Sequence, residues 1–131
     1  MAEKKILEIY ANSWNTLNTE KLEKFIDDHV VYNSQWVYDT LNGKIEFMNY
    51  FNGKLETLKK STSQTKVKAE LKTIINYMEF IRRPCIEVTQ RTKEEEVQVY
   101  ITIEINKGKI TQINMCHIPM HYITFIDCLS L

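Results

Sequence analysis

The chain has 131 residues, 17 basic against 17 acidic side chains, and 44% hydrophobic residues. That length makes one domain, 1–131, which at this size buries roughly 70% of its unfolded-chain surface and needs no disulfide or metal staple. Balanced charge excludes a global field for nucleic acid or anionic membrane, and no run is long and apolar enough to span a bilayer.

In chain order, Ile6, Ile9, Tyr10, Trp14 and Leu17 recur at three- and four-residue intervals, one stripe of a first helix whose other face is Glu3, Lys4, Glu8, Asn12 and Asn15. Asn18-Thr19 interrupts it, with Thr19 as the expected N-cap of a second short helix that buries Leu22, Phe25 and Ile26. Val30 to Tyr38 is β-branched and aromatic, hence extended. Asn42-Gly43 marks a turn, and a third helix follows with Ile45, Met48, Phe51, Leu55 and Leu58 on one face. The period then switches to two. Val67, Ala69 and Leu71 alternate with lysines and Glu70, and Ile74 to Ile81 is a second apolar piece. Pro84 cannot donate to a ladder and is expected at a strand start. Cys85 to Arg91 is a strand, and Thr92 to Glu95 a polar turn.

The last hairpin is the clearest pattern in the chain. Val97, Val99, Ile101, Ile103 and Ile105 alternate with Gln98, Tyr100, Thr102, Glu104 and Asn106, Lys107-Gly108 supplies the turn, and Ile113, Met115 and His117 share one side of the return arm. Pro119 stops that strand. The tail from Met120 to Leu131 is too apolar for a free end and is expected to cover an open sheet edge or join a subunit interface. Three helices followed by antiparallel strands make an α+β plan: a cone-shaped curved antiparallel sheet with three N-terminal helices packed on its concave side. Such a cone is filled by side chains or left partly hollow for a ligand.

Cys85, Cys116 and Cys128 have no CxxC spacing and read as small hydrophobes in a reducing compartment. The start, Met1-Ala-Glu-Lys-Lys, is no signal peptide, so a soluble, cytoplasmic chain is expected. The excess of Lys54, Lys59, Lys60, Lys66, Lys68 and Lys72 over Glu56 and Glu70 reads as a solvated helix end running into an exposed strand face, with no interleaved aromatics to stack bases. No Ser/His/Asp arrangement, glycine-rich phosphate loop or HExxH is present, and no cofactor is expected.

The chain resembles the nuclear transport factor 2-like superfamily, in its SnoaL-like and ketosteroid-isomerase-like branch. The resemblance rests on Tyr10-Ala-Asn-Ser-Trp14-Asn15, Leu22-Glu-Lys-Phe25-Ile-Asp27-Asp28, Val30-Val31-Tyr32, Gly43-Lys44 and the Gly108-Lys109-Ile110 hairpin, and on element order over nearly the full length. It implies the cone fold, which hosts isomerases, cyclases, dehydratases, assembly domains and pure binding domains. In ketosteroid isomerases a helix-one tyrosine polarises the substrate carbonyl, and Tyr10 falls in that place. The position of their proton-shuttling aspartate is Asn33 here, which lacks useful basicity. The position of their protonated acid is Ile101. The last-strand aspartate of polyketide cyclases corresponds to Met115, within one register.

His117 is the titratable group expected on the inner face, either hydrogen-bonded at the sheet's rim or lining a pocket as anchor or base, since an imidazole titrates near neutrality. A metal set of Cys116, His117 and His121 is disfavoured, because the first two point to opposite faces and Pro119 separates the histidines. Tyr32, Trp36 and Tyr38 are expected on one strand face opposite Val31 and Asn33, available as a dimer surface. Asp39, the carboxylate nearest the missing base position, is expected in a solvent-exposed loop. The leading expectation is a domain that binds a small apolar ligand with few polar groups, lined by Tyr10, Trp14, Asn33, Phe51, Met115 and His117, and forms a homodimer through its outer sheet face. The alternative is an isomerase, cyclase or dehydratase acting on a small carbonyl compound through Tyr10 and His117. A third is an assembly domain working through Tyr100, the outer face and the apolar tail.

Overall fold

The computed structural model describes residues 2–34, 40–76, 81–116 and 122–125. Helix α1 (Ala2–Thr16) forms where the apolar stripe has helical period. Its buried face is Ile6, Leu7, Tyr10, Ala11, Ser13 and Trp14, and the Ser13 hydroxyl is satisfied by donating to the Ile9 carbonyl at 3.0 Å. The helix ends as Leu17 turns left-handed (φ 56°) and the Asn18 N–H reaches back to the Ser13 carbonyl. That bond closes the last turn although Leu17 lacks the freedom of the usual glycine.

The expected second helix is shorter than its spacing suggests: a single 3-10 turn, Glu23–Phe25. Among the described residues the chain has two α-helices rather than three. Thr19 does not cap with its side chain, which instead donates to Asn52 Oδ1 at 2.6 Å, while the Asn18 side chain accepts from the Glu20 N–H. Leu22 and Ile26 are buried as expected, but Ile26 already starts strand β1 (Ile26–Ser34), which leaves no room for a second turn. Of the expected extended stretch, Trp36 and Tyr38 lie outside the described residues, as does Asp39.

Strand β2 (Leu41–Asn42) pairs with β1, and helix α2 (Lys44–Lys60) follows at once. Gly43 stands before it at φ 95°, ψ 156°, a conformation closed to side-chain-bearing residues, and its N–H donates to the Val30 carbonyl at 2.7 Å. Glu46 accepts from the Asn42 N–H at 2.8 Å, tying the first turn to the chain before it. The buried face of α2 is Phe47, Met48, Phe51, Leu55 and Leu58. Ile45 is not on it. It is 79% exposed, because at about 100° per residue it sits roughly 120° round from Phe51.

The remaining strands are β3 (Lys66–Asn76), β4 (Ile81–Arg91), β5 (Glu96–Asn106), β6 (Lys109–Cys116) and β7 (Tyr122–Phe125). They join one curved sheet in the order β2-β1-β6-β5-β4-β3-β7. The sheet is mixed, which corrects the antiparallel expectation: β1 runs parallel to β6, with Tyr32 opposite Ile113 and Ser34 opposite Met115. The β5–β6 turn has both Lys107 (φ 53°) and Gly108 (φ 77°) left-handed, the geometry that keeps strand twist through a two-residue turn. Pro84 lies inside β4, not at its start. It faces Thr73 of β3, while pairing with β5 begins only at Ile86, so its missing N–H falls where β4 has one strand neighbour. The tail segment Tyr122–Phe125 does cover an open edge, pairing with Thr73–Asn76 of β3.

Helix α1 packs on β3 and β4, and α2 on β1 and β2, over the concave face. Asn15 adds a clamp at the β3 edge. Its side-chain amide donates to the Ala69 carbonyl at 3.0 Å and accepts from the Ala69 N–H at 2.7 Å, so it takes the place of a neighbouring strand. On the other face, Lys72 corrects the reading of a wholly solvated lysine set. It is 6% exposed, with Nζ 3.7 Å from Glu87 Oε1, which is itself nearly buried. Charge compensation by Glu87 is what lets an alternating lysine remain inside. Among the described residues no helix is long and apolar enough to cross a membrane.

Candidate functional site

Four of the expected pocket residues meet inside the cone. Tyr10 and Trp14 are each 1% exposed, Phe51 2% and Met115 4%, all in one core cluster. Tyr10 and Trp14, one helical turn apart on α1, both rest on Phe51 of α2, with ring centroids at 5.5 Å (stacked) and 5.1 Å (tilted). Phe47 continues the wall at 5.6 Å from Phe51 and meets Tyr32 at 5.3 Å.

Tyr32 is the centre of the polar part. The alternation of β1 turns Val30 and Tyr32 inward, so Tyr32 is 1% exposed and is not a surface residue for dimer contacts. Tyr50, roughly 100° round α2 from Phe51, brings its ring to 5.3 Å from that of Tyr32. The parallel register then delivers Ser34 and Met115 to the same spot. The Tyr32 hydroxyl donates to Met115 Sδ at 3.6 Å, and the Ser34 hydroxyl approaches the same sulfur at 3.8 Å. A thioether is a weak acceptor, so this sulfur is a poor substitute for an oxygen.

Burial holds the Tyr32 phenol well above the ordinary tyrosine range, and neighbouring Tyr50 pushes it further the same way, against a smaller opposing pull from the Ser34 hydroxyl. Tyr10 is raised as well, first by burial and then by Tyr32 and Tyr50; the Trp14 indole acts in the other direction without reaching hydrogen-bonding geometry. Both phenols are therefore neutral donors at physiological pH. Trp14 Nε1 is buried with no hydrogen-bond partner, as are Thr73 Oγ1 and Gln90 Nε2.

Asn33 does not join this group. It is one residue from Tyr32 and so projects from the opposite face of β1, where its amide donates to Asn114 Oδ1 at 3.0 Å and accepts from the Thr40 hydroxyl at 2.9 Å. His117 and His121 lie outside the described residues. Ile101 is fully buried, and no carboxylate is among the buried side chains described. Chemically the described cluster is a set of hydroxyl donors packed among apolar and aromatic side chains. It can orient or polarise an acceptor, and it contains no base.

Tyr32, Ser34 and Tyr50 are the residues of this group that sequence reading missed. Ser34 follows two places after Tyr32 and would have been found by setting Tyr32, not Asn33, inward. A concavity of about 420 Å³ lies on the outer face of β3–β5 among Lys66, Lys68, Arg91, Glu70, Glu87 and Glu96. Of its charges, Lys68 pairs with Glu70 at 3.3 Å and Arg91 with Glu96, while Glu87 pairs with Lys72.

No family model matches the chain, and no curated protein matches it in sequence. Solved structures do match it. A steroid delta-isomerase from Pseudomonas aeruginosa superposes with a TM-score of 0.64 at 12% identity, over 91% of this chain and 81% of that one. A nuclear transport factor 2-like protein of unknown function from Cytophaga hutchinsonii gives 0.57 at 14% identity, over 86% of each chain. An LEH-like epoxide hydrolase from M. tuberculosis gives 0.57 at 11%, over 86% of this chain and 79% of that one. Shared architecture at such low identity carries the fold and leaves the reaction open. The chain has the fold of the nuclear transport factor 2-like superfamily, in the form it shares with ketosteroid isomerases.

Proposed function

We propose that this chain is a small-molecule-binding domain whose ligand, largely apolar with few polar atoms, lies against Tyr10, Trp14 and Phe51 and is anchored by hydroxyl donors at the Tyr32–Met115 end. The observation that carries this reading is the meeting of Tyr32, Ser34 and Tyr50 beside a thioether, donors set in an apolar wall where a ligand oxygen would be a better acceptor than sulfur. His117 belongs to the proposal as a further polar anchor. Ile101 and Met115, buried and apolar at two positions where relatives of this fold carry acids, favour binding over proton transfer. Native mass spectrometry after gentle purification tests it. A retained small molecule is expected, lost or weakened in Tyr32→Phe; a wild-type chain that carries none and binds none of a panel of apolar ketones contradicts it.

The enzymatic alternative keeps Tyr10 as the donor that polarises a carbonyl and needs His117 as the base. Under it, His117→Ala abolishes turnover of a carbonyl substrate with stability nearly unchanged. Homodimerisation is proposed through the outer sheet face, where three cations and three anions around the groove can be matched by those of a two-fold-related copy. Sedimentation at rising salt checks this, with dissociation expected and a salt-independent monomer as the contrary result.

A further inference from the structure

Three buried polar atoms in the described chain lack a partner, and one of them stands on the wall of the proposed site. Trp14 Nε1 is a donor with no alternative role: an indole nitrogen cannot accept, and its side chain is 1% exposed, so solvent does not reach it. A buried unpaired N–H is costly, and in a native structure it calls for an explanation such as an absent ion, water or ligand. Trp14 lies one turn beyond Tyr10 on the same face of α1, both rings lean on Phe51, and the indole acts on the Tyr10 phenol, so their polar atoms lie near one another. Thr73 and Gln90, the other two, sit on β3 and β4.

We infer that Trp14 is a ligand-binding residue, its indole N–H donating to an oxygen acceptor of the bound molecule in company with the Tyr10 hydroxyl. The inference rests on the small-molecule reading above and narrows it. The groups that face inward here, an indole N–H and neutral phenols, can all donate, and no buried carboxylate is described that would hold a cation. The preferred head group is therefore a carbonyl-type oxygen with lone pairs and no proton of its own. Ammonium ions are disfavoured, because no buried carboxylate is described to pair with their charge and the indole N–H cannot accept from them.

The test uses the full chain and two probes of matched shape, 2-acetylnaphthalene and 2-isopropenylnaphthalene, which differ by a carbonyl oxygen replaced with a CH2 group. The chain has two tryptophans, so ¹⁵N-indole spectra of wild type and Trp36→Phe assign the Trp14 Nε1–H signal. The ketone should move that signal downfield and the alkene should not. Trp14→Phe should weaken ketone binding about three- to tenfold more than it weakens alkene binding, as loss of one neutral hydrogen bond does. If both probes bind with the Trp14 signal unmoved, the inference is overturned while the binding reading stands, the N–H then being paired with buried water or left unpaired. If neither binds, both fall. Should Trp14→Phe fail to fold, the wild-type spectra alone decide.

Discussion

A tyrosine whose phenol is held high by burial makes stability depend on alkaline pH in a defined direction. Tyr10 and Tyr32 ionise less readily in the folded chain than in the unfolded one, where a phenol titrates near ~10. Their contribution is complete below that value and is lost as pH rises above it, since the unfolded state then sheds protons the folded state keeps. Denaturation midpoints measured from pH 8 upward should be flat to about pH 10 and then fall, and Tyr32→Phe should fall less steeply than wild type. A parallel decline in both would show that Tyr32 is not the group concerned. Lys72 and Glu87 make a second residue-scale case. Removing one partner of a buried pair leaves a bare charge and typically costs about 3–5 kcal/mol, whereas replacing both with apolar residues is close to neutral. Lys72→Met should therefore be strongly destabilising and Lys72→Met/Glu87→Leu much less so in urea denaturation; additive losses would mean that the pair is not coupled.

At the scale of elements, local patterns were legible and pairings were not. The period-two run of β5 and the helical stripe of α1 are written in neighbouring residues, and both elements stand where the residues imply. The parallel β1–β6 contact joins Tyr32 to Ile113 across the whole chain, and nothing local announces it. Inside β1, setting Asn33 inward was a slip of one residue, which in a strand exchanges the two faces and hid both Tyr32 and Ser34 from the candidate site. The 3-10 turn was over-read because Leu22, Phe25 and Ile26 have helical spacing, while the start of β1 ends the segment after three residues. Gly43 shows a junction that sequence did announce. Its φ of 95° with extended ψ admits essentially glycine alone, while an added Cβ would meet the Asp28 carbonyl only at an ordinary contact distance of 3.6 Å, so the strain lies in the backbone. Gly43→Ala should cost about 1–3 kcal/mol of unfolding free energy. A neutral substitution would show that the β2–α2 junction can relax into another backbone conformation.

On the scale of the whole molecule, the fold is a curved mixed sheet closed on its concave side by two helices, with an aromatic wall leading to a nest of hydroxyl donors. The superfamily fold was readable from the order and spacing of elements, because those are set by hydrophobic period and by turn residues. The candidate site was less readable, because it depends on which side chains the sheet brings together from β1, β6 and α2. The account stands on the claim that this interior receives a small molecule. A crystal structure of gently purified protein tests it most directly. The account predicts connected non-protein density inside the cone, in contact with the Tyr32 hydroxyl and within hydrogen-bonding distance of Trp14 Nε1. A cone filled to its end by the chain's own side chains, with no such density, would contradict it.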